Sequence, residues 1–191
     1  MPKFFVNEEQ IQKEDVKVIG NDVKHIKNVL REKVGNELII CNTSNKKDYL
    51  CKIEEISEEY IKCKIEKELE NNSESNIQVT IMQGLPKADK MELIIQKSVE
   101  LGVYDIIPIE MKRCVVKVNE KDKQKKLQRW QKISEVAAKQ CGRNIIPKIK
   151  PILNLKNICN MLKEYDIVLL AYEKEEKITI KQELKNIKEN L

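Results

Sequence analysis

At 191 residues, with 41% apolar and 35% charged side chains, the chain has room for one large domain or two small ones and the composition of an ordinary globular protein. No run reaches the roughly eighteen apolar residues of a membrane span, and the opening MPKFFVNEEQ lacks the apolar core of a secretory signal, so a cytoplasmic protein is expected. A single histidine, His25, and six cysteines without any C-x-x-C pair argue against a histidine-rich or zinc-ribbon metal site; the cysteines read as reduced, buried small hydrophobes.

The net charge of +5 is unevenly placed: residues 110–132 carry nine Lys or Arg against three Asp or Glu, whereas residues 173–191 carry five of each sign. A local basic segment is what contact with a polyanion requires, and a solvated lysine-rich loop accounts for the charge equally well.

The first seventy residues read as short strands around one small helix. KFFVN (3–7) and VKVI (16–19) open the series. NDVKHIKNVLR (21–31) follows a capping Asn or Asp with Val23, Ile26, Val29 and Leu30 at helical spacing. In NELIICN, DYLCKIEEI and YIKCKIEKEL, apolar positions such as Tyr49, Cys51 and Ile53, or Ile61, Cys63 and Ile65, alternate with polar ones. This predicts half-buried antiparallel strands, closing into a small β-barrel. The polar, aperiodic ENNSESN (70–76) is the expected domain boundary.

From residue 77 the rhythm changes to strands alternating with longer helices: IQVTIMQGL, LPKADKMELIIQKSVELGV, YDIIPIEM, KKLQRWQKISEVAAKQCGR, NIIPKIK, NLKNICNMLKEY, DIVLLAYE and IKQELKNIKEN. Such alternation implies βαβ units and a parallel sheet with right-handed crossovers. Asp89 with Glu92, and Thr179 with Gln182, have capping-box spacing, and Gly102 sits where a left-handed residue ends a helix. The chain has five glycines, none after Gly142, and no G-x-G-x-x-G or P-loop phosphate cradle.

On the 85–103 helix, Met91, Ile94, Ile95, Ser98, Val99 and Leu101 form the core face, and Glu92, Gln96 and Glu100 an opposite stripe flanked by Lys90 and Lys97. Position alone favours a solvent face with intrahelical ion pairs. On the next helix Leu127, Trp130, Ile133, Ala137 and Cys141 form the apolar stripe, with Trp130 as a core anchor. Arg113 and Arg143 fall near element ends, where arginine suits bidentate phosphate contact or an ordinary ion pair. In the first domain Lys3, Phe4, His25 and Arg31 offer the aromatic and basic groups of an RNA surface, although the Phe side chains suit a core equally well.

PKFFV, HIKNVLR, LPKADKMELIIQKSVELGV, IIPIEMKRCVVK and RWQKISEVAAKQCGRNIIPKI, in this order and spacing, closely resemble the RsmE family of bacterial 16S ribosomal RNA uridine N3-methyltransferases, from residue 2 to at least residue 173. The resemblance implies a PUA-like RNA-binding β-barrel over 1–72 and, over 73–191, a parallel-sheet SPOUT-type α/β domain that binds S-adenosylmethionine and dimerises. It also implies 16S rRNA or the small ribosomal subunit as partner and no metal. The family pattern continues into a GPEGG loop and an LG-x-RILR-x-ET segment that form a knot; neither occurs in these 191 residues. The resemblance therefore implies a domain incomplete at its C-terminus, lacking most of the cofactor pocket and inactive by itself.

By the same resemblance, Arg113 and Arg143 are expected to stabilise charge on the uridine carbonyls or grip phosphate, and Glu100, Glu135, Gln96 and Gln140 to orient base or partner groups. Which carboxylate takes the N3 proton stays open. Leu170, Ala171, Tyr172 and Glu173, at the end of an expected parallel strand, would form one lip of the cofactor site. Lys87, Lys90, Lys121, Lys123, Lys125 and Lys126 join the first-domain residues as RNA contacts. The alternative is a noncatalytic RNA-binding module that keeps the barrel and half of the α/β domain. A third reading, an unrelated α/β enzyme with a regulatory β-domain, predicts no RNA affinity.

Overall fold

The computed structural model describes residues 1–71, 73–87, 90–112 and 119–189. Residues 1–153 form one compact unit and residues 154–191 another. No helix among the described residues is long and apolar enough to cross a membrane.

The first sheet has six strands: β1 (Lys3–Val6), β2 (Ile11–Gln12), β3 (Asp15–Ile19), β4 (Glu37–Asn42), β5 (Asp48–Ile56) and β6 (Tyr60–Leu69), in the spatial order β1-β4-β5-β6-β3-β2. All its pairings are antiparallel except β1 on β4, which is parallel. The period-two alternation of β4 to β6 delivers Leu38, Ile40, Cys51, Ile53, Ile61 and Cys63 to one core. A short helix α1 (Asn21–Lys24) closes over it and widens into a π turn at His25–Leu30. The wider turn keeps Val23 and Ile26 buried but leaves Val29 66% exposed, so the expected four-residue apolar stripe is only half used.

In the second sheet β7 (Thr80–Gly84) and β9 (Lys148–Ile149) both pair in parallel with β8 (Asp105–Glu110), as the strand–helix rhythm predicts, and a two-residue strand, Leu153–Asn154, also joins β8. The helices α2 (Lys90–Glu100) and α3 (Glu120–Gln140) pack on it through Met91, Ile95, Val99, Trp130, Ala137 and Ala138. Both helices end in the same device. The N–H of Gly102 bonds the carbonyl of Val99 and that of Val103 bonds Ser98, while Arg143 N–H bonds Ala138 beside Gly142. Gly102 and Gly142 have φ of +96° and +74°, the left-handed conformation this cap needs. The cap turns Leu101 off the core face, where it is 87% exposed rather than buried as its spacing predicts.

In the unit 154–191, α4 (Leu155–Met161) and α5 (Ile180–Glu189) form where expected. Thr179 and Gln182 make the reciprocal capping box: Gln182 N–H donates to Thr179 Oγ1 at 3.2 Å and Thr179 N–H to Gln182 Oε1 at 2.8 Å. The stretch DIVLLAYE differs from expectation. Residues 166–173 lie on no strand, and Leu170 is 86% exposed. Its apolar run has strand composition but no ladder to satisfy its backbone.

Candidate functional site

Strand β1 divides its side chains between two cores. Phe4 and Val6 are buried in the first core, whereas Phe5, on the other face, packs against the second. Lys3 shares the face of Phe5 and is 7% exposed. Its ammonium donates to Asp48 Oδ2 at 2.7 Å, to the Gly142 carbonyl at 3.1 Å and to Asn144 Oδ1 at 2.5 Å. Asn71 reinforces the junction, donating to Asp48 Oδ2 at 2.5 Å and also to Asn144. These contacts use all three donors of Lys3, and burial keeps its ammonium from phosphate. Phe4 is 2% exposed with His25 edge-on to its ring at a centroid distance of 6.0 Å, so Phe4 cannot stack on a base. Lys3 and Phe4 thus leave the RNA surface, Lys3 for the sheet-to-sheet junction and Phe4 for the first core.

Arg143, expected to meet substrate, is likewise internal at 4% exposure. Its Nη1 donates to the carbonyls of Val99 at 3.2 Å and Val103 at 2.6 Å, and its Nη2 to Glu74 Oε2 at 2.6 Å. Glu74 also accepts the backbone N–H groups of Asn144 and Ile145. Burial pushes the Glu74 carboxyl up, but the hydrogen bonds from Arg143, Asn144 and Ile145 outweigh it and hold it below the usual carboxylate range. Arg143 binds the C-terminal ends of α2 and α3 to the inter-sheet link. At 4% exposure, with its guanidinium bonded to Glu74 and two carbonyls, it is not presented to a reacting base.

The structure does gather the other candidates. Gln96 and Gln140 line an open groove of about 540 Å³ on the face of α2 and α3, together with Arg129, Lys132, Ile133 and Val136. Gln96 donates to Glu100 at 2.9 Å, and Lys97 pairs with Glu100 at 2.7 Å. Hydrogen bonds from Lys97 and Gln96 hold the Glu100 carboxyl below its ordinary value. Burial raises Glu135, but hydrogen bonds from Lys132 and Lys139 win and leave it lowered as well. Lys139 then reaches Asp22 at 2.9 Å, tying α3 to α1. Two carboxylates held ionised by cations are weak bases near neutral pH, so they suit orientation of donor groups better than removal of a proton. Glu92, part of the same stripe, pairs with Arg129 across the two helices at 2.7 Å.

In a parallel β–α–β unit the helix runs back along the strands, so the C-terminal halves of α2 and α3 lie level with the strands' N-terminal ends. Gln96, Glu100, Glu135 and Gln140 all belong to those halves. They sit at the edge opposite the one where α/β sheets hold their ligands.

Among the expected RNA contacts, His25, Arg31, Lys87 and Lys90 are exposed, as are Lys121, Lys125 and Lys126 on the first turns of α3; Lys123 there is half-buried. Arg113 and the Asp89 half of the expected Asp89–Glu92 capping box lie outside the described residues. The expected cofactor residues Leu170, Ala171, Tyr172 and Glu173 are all exposed, Tyr172 by 58%. They do not form a wall that would enclose a cofactor. Cys41, Cys51 and Cys63 are buried as expected, whereas Cys141 and Cys159 are exposed. Sequence reading missed Asp48, Asn71, Glu74 and Asn144; the signal available for Glu74 was its being the single charge in the run 71–79.

Residues 73–190 match the family model described as an RNA methyltransferase domain, and residues 18–66 match an RNA methyltransferase PUA domain. The ribosomal RNA small subunit methyltransferase E of Bacillus subtilis (strain 168) is 33% identical over 180 residues, 93% of this chain and 70% of that protein. A Legionella pneumophila putative methyltransferase solved with S-adenosylmethionine superposes with a TM-score of 0.79 at 29% identity, over 91% of this chain and 72% of that one. The Neisseria gonorrhoeae ribosomal RNA small subunit methyltransferase E, solved bound to S-adenosylmethionine, gives 0.76 at 30% identity over 85% and 66%. With a family model across more than half its length and this degree of identity to B. subtilis over most of both chains, the chain belongs to the RNA methyltransferase family that includes ribosomal RNA small subunit methyltransferase E.

Proposed function

We propose that the chain carries the family's reaction, transfer of a methyl group from S-adenosylmethionine to N3 of a uridine in small-subunit ribosomal RNA, in the cytoplasm and as a homodimer without metal. The observation that carries this reading is the match along both parts of the chain, an RNA methyltransferase domain at 73–190 and its PUA companion at 18–66. In this reading the first sheet, residues 1–72, is a PUA-like barrel that binds RNA, and residues 73–191 belong to a SPOUT-type domain.

When bound, S-adenosylmethionine supplies an electrophilic methyl group on a sulfonium. Leu170, Ala171, Tyr172 and Glu173 are the residues of this chain proposed to meet it, and all four are exposed. The chain's own share is positioning. His25, Arg31, Lys87, Lys90 and the α3 lysines at 121, 123, 125 and 126 attract the RNA backbone. Gln96, Glu100, Glu135 and Gln140 orient groups presented to the α2–α3 groove, including those of a second subunit. Arg113 is proposed to offset charge on the uridine carbonyl oxygens once N3 has lost its proton.

The test is incubation of the chain with labelled S-adenosylmethionine and small subunits lacking the modification, followed by nucleoside mapping of the label. Label at N3 of one uridine is the expected result. RNA binding without label overturns catalysis and supports the noncatalytic RNA-binding reading, which the exposed 170–173 stretch favours. The absence of both overturns the proposal.

A further inference from the structure

A second groove, of about 840 Å³, opens at the N-terminal edge of the parallel sheet, between the loops of the first sheet and the strands of the second. Its size is within the range of a small-ligand pocket. Asn7, Thr43 and Lys46 contribute from one side, and Tyr104, Asp105, Lys148 and Lys150 from the other. None of these residues has a part in the function proposed above.

The lining carries three lysines against one carboxylate. Lys46 and Lys148 are exposed, and Lys150 approaches Asp105 Oδ2 only to 3.5 Å. Asp105 is 7% exposed, and its Oδ1 is buried without a hydrogen-bond partner, so the carboxylate belongs to the wall of the groove and not to its open surface. Tyr104 in the lining is 36% exposed, and its backbone N–H donates to the Val79 carbonyl at 2.8 Å. A flat ring and two free cations form a combination that takes an unpaired nucleotide: stacking for the base and charge for the phosphates.

We propose that this groove is a second RNA-contact surface, gripping a single-stranded segment that flanks the target. Tyr104 stacks on a base, and Lys46 and Lys148 meet phosphates. The groove lies at the opposite end of the strands from the carboxyl edge where such sheets carry out their chemistry, so it anchors the RNA and does not hold the reacting base. The inference rests on the rRNA reading proposed above.

The test measures binding of the full chain to a fluorescein-labelled single-stranded fragment of small-subunit rRNA across a salt series, for wild type, Lys46→Gln/Lys148→Gln, Tyr104→Ala and Tyr104→Phe. Lys150 is kept because it neutralises Asp105. The double lysine variant is expected to bind about tenfold more weakly, with a salt slope shallower by about 0.7 for each phosphate that a lysine no longer neutralises. Tyr104→Ala loses at least about fivefold, while Tyr104→Phe stays near wild type. Wild-type binding with unchanged affinity and slope in both the lysine variant and Tyr104→Ala overturns this inference alone. Loss of binding to assembled small subunits with retained binding to naked RNA also overturns it, pointing instead to a ribosomal protein on the groove. A wild-type chain that binds no RNA overturns the functional reading and this inference together.

Discussion

Arg143 and Glu74 stand 69 residues apart in sequence, and the guanidinium of one meets both carboxylate oxygens of the other, through Nε and through Nη2 at 2.6 Å. The pair joins the polar inter-sheet link to the ends of two helices, because Arg143 also holds the carbonyls of Val99 and Val103. Arg143→Ala strands a partly buried carboxylate and two carbonyls, and is expected to lower stability by about 3 kcal/mol. Urea unfolding checks this through a lower midpoint at unchanged slope. RNA affinity should stay at the wild-type value under conditions where the variant is folded; a large loss of affinity without destabilisation would return Arg143 to the substrate site.

The same pair sets an acid limb. The folded Glu74 carboxyl lies below its unfolded value, so its stabilisation is complete above about pH 4.3 and is lost as the pH falls through the folded pKa. Urea midpoints measured between about pH 5 and pH 3 should fall more steeply for wild type than for Glu74→Gln. Parallel curves would remove Glu74 from the acid transition.

Lys3 and Asp48 pair within the first sheet at side-chain exposures of 4% and 5%, and Lys3 carries the pair across to the Gly142 carbonyl and Asn144. Asp48 Oδ1 already lacks a partner, so Lys3→Met leaves an uncompensated buried carboxylate and should cost about 3 kcal/mol. Adding Asp48→Asn removes that charge and should recover a substantial part of the loss, a coupling that a double-mutant cycle reads directly. Additive losses would show that the two side chains do not interact.

The local rules of the fold were legible before any coordinates. Alternation at Cys51, Ile53, Ile61 and Cys63 predicts the first core, and the stripe through Trp130 and Ala137 predicts the inner face of α3. Gly102, Gly142 and the Thr179–Gln182 box mark helix ends through short-range chemistry. What sequence could not show is long-range partnership. Lys3 finds Asn144 at a separation of 141 residues, and no periodicity in KFFV tells which of its two faces meets which core. A lysine next to two phenylalanines has the composition of an RNA surface; only the second sheet turns it inward. The misread strand at 166–173 has a related cause, since strand character needs a neighbouring ladder as well as apolar residues. For the candidate site, sequence correctly grouped Gln96 with Glu100 on one stripe but could not place that stripe at the N-terminal edge of the strands.

Gly102 offers a clean test of the helix-ending device. A Cβ there meets no atom within 4 Å, so any cost of Gly102→Ala comes from its φ of +96° rather than from crowding. The variant should lose about 1 to 2 kcal/mol by urea unfolding, with the core fluorescence of Trp130 unchanged in the native state. A neutral outcome would mean that the left-handed cap relaxes at no cost.

The five cysteines among the described residues divide by burial; Cys114 lies outside them. Burial, the largest influence, pushes the thiols of Cys41, Cys51 and Cys63 up to about 12, and in Cys41 it outweighs the opposing pull of Lys3. Because the thiolate is the nucleophile, these three should stay unmodified by a maleimide at about pH 8 in the folded chain, where an unperturbed thiol of pKa about 8.5 is substantially ionised. Cys141 and Cys159 are exposed and should be labelled under the same native conditions. Mass mapping of the labelled sites distinguishes the two groups. Fast labelling of Cys51 or Cys63 under native conditions would show that the first sheet opens on the timescale of the reaction, since no native geometry exposes their sulfurs.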